Sequence, residues 1–141
     1  MSNPIICVDF DGVIHSYTSG WQGVVNITDP PVPGAIEWLE EHLPAPEDLD
    51  PFGYEREIFK KENRPVVQIY SSRSKSYFGR RAMRKWLIKH GMHPGYIRDH
   101  ILRFPTKKPA AFLTIDDRAI CFNGTFPTVK EMVTFTPWYK K

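Results

Sequence analysis

The apolar positions of the chain fall into short runs, and each run ends abruptly in polar residues. Ile5 to Val8 is continuous and apolar, and Asp9 closes it. A run of this kind predicts a buried central strand of a parallel sheet. Val66 to Tyr70 and Ala111 to Ile115 read the same way, Ile101 to Phe104 reads as a further strand, and Ala119 to Phe122 reads as a short one. Helical spacing replaces continuity at Ala35 to Leu43, through Ala35, Trp38/Leu39 and His42/Leu43. Tyr54 to Lys61 reads as a second helical piece. Ser76 is placed to cap a helix running to about His90, with Phe78, Ala82 and Trp86/Leu87 as its inner stripe and Gly91 at its end. Thr128 to Glu131 has the capping-box pattern and starts a last short helix. Residues 12–28, rich in Ser, Thr, Gly and β-branched residues, predict a β-hairpin flap with Val13/Ile14 and Val24/Val25 as its arms. Alternating strands and helices predict an α/β fold with a mostly parallel sheet, whose ligands bind beyond the carboxyl ends of the strands.

A length of 141 residues suggests one domain, and 41% hydrophobic residues can bury a real core. No run of 18 apolar residues and no cleavable leader are visible, so the expectation is a cytoplasmic protein with no membrane partner. Cys7 and Cys121 both sit among apolar residues and are expected to be buried thiols rather than a disulfide. The net charge of +3 is mild but unevenly spread. Acids dominate between Asp29 and Glu62, whereas Arg73 to His93 contains no acid and carries Arg73, Lys75, Arg80, Arg81, Arg84, Lys85 and Lys89. That field suits an anionic ligand, a nucleotide or a nucleic-acid end among them. Phe78 and Trp86 fall on the expected buried stripe, so neither reads as a base-stacking platform.

Three of the predicted strands end in chemically related residues. Ile5–Val8 leads into Asp9-Phe10-Asp11, Val66–Tyr70 into Ser71-Ser72-Arg73, and Ala111–Ile115 into Asp116-Asp117, with Lys107-Lys108-Pro109 just ahead of the last strand. In a parallel sheet these ends converge. Four carboxylates in one small volume are unfavourable unless some protonate or a hard cation joins them. Mg²⁺ fits such a set, because it takes a few carboxylates together with water and phosphate oxygens. A hydroxyl, a lysine and an arginine beside it make a receptor for a phosphoryl group. One carboxylate can attack phosphorus while another moves the proton.

The four segments together resemble the haloacid dehalogenase (HAD) superfamily of phosphatases. VDFDGVI is similar to its first motif, IYSSR to its second, KKP to its third and LTIDDRA to its fourth. The resemblance implies a Rossmann-like three-layer α/β/α sandwich. It implies Asp9 as the nucleophile that forms an aspartyl-phosphate and Asp11 as the acid/base. It also implies Mg²⁺ on Asp9, Asp116 and the backbone carbonyl of Asp11, with Asp117 adjoining, and Ser71 and Lys108 on the phosphoryl group. Lys107 is the alternative to Lys108, although Pro109 favours Lys108. Neither gap between motifs leaves room for a cap domain, which indicates the minimal capless type. Such a site is open, which goes with large substrates or with covering by a partner subunit in a homo-oligomer. Ser72, Arg73, Tyr17 and Trp21 are then the nearest substrate-binding residues, and His15 is structural or solvated. The implied reaction is hydrolysis of a phosphomonoester. The alternatives are a phosphotransferase or a nucleotidase or polynucleotide phosphatase on the same scaffold, or a non-catalytic phosphate- or nucleic-acid-binding module. A signalling receiver domain uses similar groups, but its acidic pair comes early and its acceptor Asp later, the reverse of the order here.

Overall fold

The computed structural model describes residues 3–140. In chain order its elements are β1 (Ile5–Val8), α1 (Ala35–Glu41), α2 (Tyr54–Lys61), β2 (Val66–Ile69), α3 (Tyr77–Lys89), α4 (Gly95–Arg98), β3 (Leu113–Ile115) and α5 (Val129–Val133), followed by a 3₁₀ turn at Trp138–Lys140. The fold is mixed α/β around a three-stranded sheet of order β2-β1-β3. Both ladders are parallel, with Val8 opposite Ile69 on one side and Ile115 on the other. That register puts the carboxyl ends of all three strands at one edge. Val8, Val67, Ile69, Leu39, Met83 and Leu87 meet in one buried cluster that joins the sheet to α1 and α3. No helix among the described residues is long and apolar enough to cross a membrane.

The expected hairpin over residues 12–28 is not formed. Ile14 is buried in the core, and the Phe10 carbonyl accepts the N–H groups of Val13, Ile14 and His15 at 2.9–3.3 Å. A turn, with an isolated bridge from Asp11 to His15 and another from His15 to Pro31, replaces the first arm. The carbonyls of Gly23 and Val24 accept from the Arg73 side chain, so the second arm has no ladder to join. Ile101–Phe104 shrinks to a single bridge between Gln68 and Arg103, because Leu102 and Phe104 turn into the core. Residues 119–122 form no strand, and their side chains lie in solvent. Cys7 is buried as expected, whereas Cys121 is an exposed free thiol.

The first half of the inner stripe of α3 is displaced by one residue from the expected one, whereas the second half keeps Trp86 and Leu87 as expected. The stripe runs through Gly79, Met83, Trp86 and Leu87, and Phe78 is 61% exposed. Gly79 causes the displacement. A Cβ there would collide with the Arg73 carbonyl oxygen, so the helix start packs backbone against backbone. The Ser76 hydroxyl caps this turn by accepting the Gly79 N–H at 3.3 Å, as the sequence predicts for Ser76.

Candidate active site

β1 carries its two carboxylates to the sheet edge in different ways. The Asp9 N–H donates to the Ile115 carbonyl at 2.9 Å, which extends the β1–β3 ladder and aims Asp9 at β3. Asp116 and Asp117 follow β3 directly. Carboxylate oxygens of Asp9, Asp116 and Asp117 lie within 4.8 Å of one another. Buried and crowded this way by the protein's own groups, the Asp9 carboxyl is pushed up to about 8. Burial contributes most, then a hydrogen bond with Asp117, then the charges of Asp116 and Asp117. The Phe10 N–H donates to Asp9 Oδ1 at 2.8 Å and acts the other way. A divalent cation suits this group, since it replaces mutual repulsion by shared attraction.

These residues line a cavity of about 380 Å³. Asp11, Ser71, Ser72, Lys108 and Tyr17 line it as well, so most of the expected set converges. Lys107 does not line it, which separates the two lysines in favour of Lys108. Ser71 is buried, and its Oγ accepts the Arg73 N–H at 3.1 Å while its own hydrogen points to the Met83 sulfur at 3.6 Å. A sulfur is a weak acceptor, so the hydroxyl can turn to a phosphoryl oxygen at little cost.

Two expected substrate contacts lie elsewhere. Arg73 is fully buried and does not reach the cavity. Its Nε donates to Asp11 Oδ2 at 3.0 Å, and its Nη1 donates to the Gly23 and Val24 carbonyls at 2.8 and 2.7 Å. Asp11 is the acid in its reach, and a buried guanidinium without such a partner is very costly. Trp21 lies with its ring 4.7 Å from that guanidinium and does not line the cavity. The Asp11 carboxylate is engaged by Arg73 and His15 and is not part of the Asp9–Asp116–Asp117 cluster, although it lines the same cavity.

Asp29, Arg118, Trp138 and Tyr139 gave no signal in the sequence, and His15 was expected only as a structural or solvated residue. His15 is buried, with Nδ1 2.8 Å from Asp11 Oδ1, and the Asp29 N–H donates to its Nε2 at 3.1 Å. The Asp29 N–H occupies Nε2, so Nδ1 is the nitrogen that faces Asp11. Asp29 in turn accepts from the Ser19 hydroxyl and N–H at 2.6 and 2.8 Å. Arg118 and Tyr139 also line the cavity. Arg118 Nη2 donates to the Tyr139 hydroxyl at 3.2 Å, and Trp138 Nε1 donates to the Gly12 carbonyl at 2.7 Å. Gly12, at φ 84°, is required twice over, because a Cβ there would also strike Asp117 and Tyr139. Only the spacing of His15 four residues after Asp11 offered a hint, since that spacing brings side chains together wherever the chain turns. The basic residues of α3 line other grooves and none borders this cavity. No family model, curated protein or solved structure matches the chain.

Proposed function

We propose that the chain is a phosphomonoester hydrolase of the haloacid dehalogenase type, working with Mg²⁺ through an aspartyl-phosphate on Asp9. One observation carries the reading. Asp9, Asp116 and Asp117 share one cavity with Ser71 and Lys108, at the carboxyl ends of three parallel strands. The connections of β1 to β2 and of β2 to β3 contain helices, which supports the three-layer Rossmann-like arrangement that the motifs imply.

Asp9, Asp116 and Asp117 would hold the cation, which supplies charge neutralisation for Asp9 and for the phosphoryl oxygens when bound. Asp9 attacks phosphorus, and the bond from phosphorus to the leaving oxygen breaks. Asp11 gives that oxygen a proton and then takes one from the water that cleaves the acyl phosphate. Ser71 donates to a phosphoryl oxygen, and the Lys108 ammonium balances its charge. With Arg73 and His15 donating to it, Asp11 is set up as the proton acceptor of the second step. The first step uses its acid form, with Oδ1 still held by Arg73 and His15.

Tyr17 and Tyr139 favour an aromatic leaving group, such as the nucleoside of a nucleotide. They meet edge to face at 5.9 Å on the cavity wall, and Tyr17 is held at φ 61°. Release of phosphate from an aryl phosphate and from a nucleotide panel, with and without Mg²⁺, tests the reading. Activity that needs Mg²⁺ and disappears in Asp9→Asn is expected. Full activity in Asp9→Asn, or none in the wild type across the panel, rejects it.

A further inference from the structure

The residues around Asp11 form a closed network whose extent the proposed chemistry does not use. Arg73 is fully buried between two partners that have no covalent link nearby: the Asp11 carboxylate on one side, and the carbonyls of Gly23 and Val24 on the other. Trp21 covers its open face. Val24 also packs at the start of α3, where a Cβ on Gly79 would meet its Cγ1. One guanidinium thus ties the loop of residues 17–28 to the Asp11 strand end, while Ser19 holds Asp29 and Ile27 packs on the core. His15 fixes the other side of Asp11 and is itself fixed by the Asp29 N–H.

We propose that Arg73 and His15 are positioning residues, and that Arg73 joins the loop 17–28 and Asp11 into one mechanical unit. The idea rests on the phosphatase reading for its kinetic part only. Tyr17, at the loop's entrance, faces the cavity, so a leaving group that displaces it pulls on the same unit that aims Asp11. The coupling is reciprocal: loosening Asp11 frees the loop, and loosening the loop frees Asp11. Lysine cannot replace Arg73, because one ammonium on a flexible stem does not fork between a carboxylate and two carbonyls.

Hydrogen exchange of the full chain, followed by mass spectrometry, tests the coupling without any substrate. In Arg73→Lys and, separately, in Asp11→Asn, residues 17–28 should exchange at least several-fold faster while α3 stays protected. Wild-type protection of the loop in Asp11→Asn overturns the proposal, even if Arg73→Lys does not fold. Where phosphatase activity is present, Arg73→Lys should lower kcat by up to about 100-fold with KM little changed, as misplacement of a reacting group does. A raised KM at unchanged kcat overturns the positioning role. Absence of activity in the wild type rejects the phosphatase reading and leaves the exchange result standing.

A second inference comes from surface area. A compact protein of 16.4 kDa exposes roughly 7,500 Å². This chain exposes 9120 Å². The excess, roughly 1,600 Å², is what one subunit of a sizeable homodimer buries. Much of it is apolar surface in the last third of the chain, where Phe112, Phe126, Val129 and Val133 are each more than 70% exposed. β3 pairs with β1 alone and leaves its other edge open among the described residues. Ala119 to Val129 contains no charged residue, and Lys130 and Glu131 beyond it carry opposite signs, which a two-fold contact can pair. We infer that the face made by β3 and residues 119–133 joins a second copy of this chain. Sedimentation velocity at micromolar concentration should give twice 16.4 kDa for the wild type and 16.4 kDa for Phe122→Glu/Phe126→Glu. Maleimide labelling of Cys121, the exposed thiol in this face, should slow as the wild-type concentration rises. A monomer at all concentrations, or a dimer in which Cys121 labels at a concentration-independent rate, overturns the inference.

Discussion

Residues 3–104 and residues 105–140 build the same cavity from opposite circumstances. The first region holds the whole buried apolar cluster, from Val8 to Phe104. In the second, Pro137 is the one buried residue among those described. Yet the second region supplies Lys108, Asp116, Asp117, Arg118 and Tyr139 to the site, and the first supplies Asp9, Asp11, Tyr17 and Ser71. Asp9 and Asp11 thus stand on a packed scaffold. Asp116, Asp117 and Arg118 follow a three-residue edge strand, and Tyr139 lies in a tail tied down by polar contacts. Chemistry can be carried by a lightly packed element when backbone pairing fixes its register, and the Asp9-to-Ile115 hydrogen bond does so here. The local stability of the two halves should differ accordingly.

The largest expected effect tests whether the two halves share a function. Asp9→Asn should lower phosphatase activity by at least about 1,000-fold, as loss of a nucleophile does. Because it also removes the crowded carboxyl, it should raise the melting temperature of the metal-free protein, and calorimetry checks this. Next comes the contrast in packing. Leu39→Ala or Met83→Ala should cost about 2–5 kcal/mol in denaturant unfolding, since both are fully buried. Leu113→Ala in β3, half exposed, should stay within about 0.5 kcal/mol in a monomeric background such as Phe122→Glu/Phe126→Glu. Equal losses at both sites would erase the comparison.

The pH dependence follows from Asp9. Its carboxyl titrates near 3.8 when unfolded and at about 8 in the folded, metal-free chain, so the folded state binds the extra proton between those values. This contribution to stability is fully present below about 4 and is lost as pH rises toward 8. Melting temperature without metal should fall over that window, and the stabilisation by added Mg²⁺ should grow over it. A flat Mg²⁺ response from pH 5 to 8 would detach Asp9 from the cation. The smallest effect belongs to the tail: Trp138→Phe removes one hydrogen bond to Gly12 and should cost about 1 kcal/mol, with a modest rise in KM.

The site was legible in the sequence where its chemistry is local. Asp9, Asp116 and Ser71 each follow an apolar run directly, and a parallel sheet leaves such residues only one edge to occupy. Where a side chain had a choice of partners, the sequence was silent. Arg73 stands two residues after Ser71, which suggested a substrate contact, but the Asp11 carboxylate and two loop carbonyls satisfy a buried guanidinium better than an open cavity does. Phe78 fitted the helical stripe that Trp86 and Leu87 continue, but the contact of Gly79 with the Arg73 backbone takes its place at the helix start. Composition could not separate Cys121 from Cys7, because burial of the second depends on packing that the last third of the chain lacks.

By itself, then, the chain specified the three strands of its sheet, the caps at Ser76 and Thr128 and the carboxylates after β1 and β3, because these depend on neighbours a few residues away. The direction of Arg73, the bridging of Asp11 and Asp29 by His15, and the closing of the tail on Gly12 depended on groups up to 126 residues apart. Such contacts are selected by which donors and acceptors remain unsatisfied once the core has formed, and only the tertiary structure decides that.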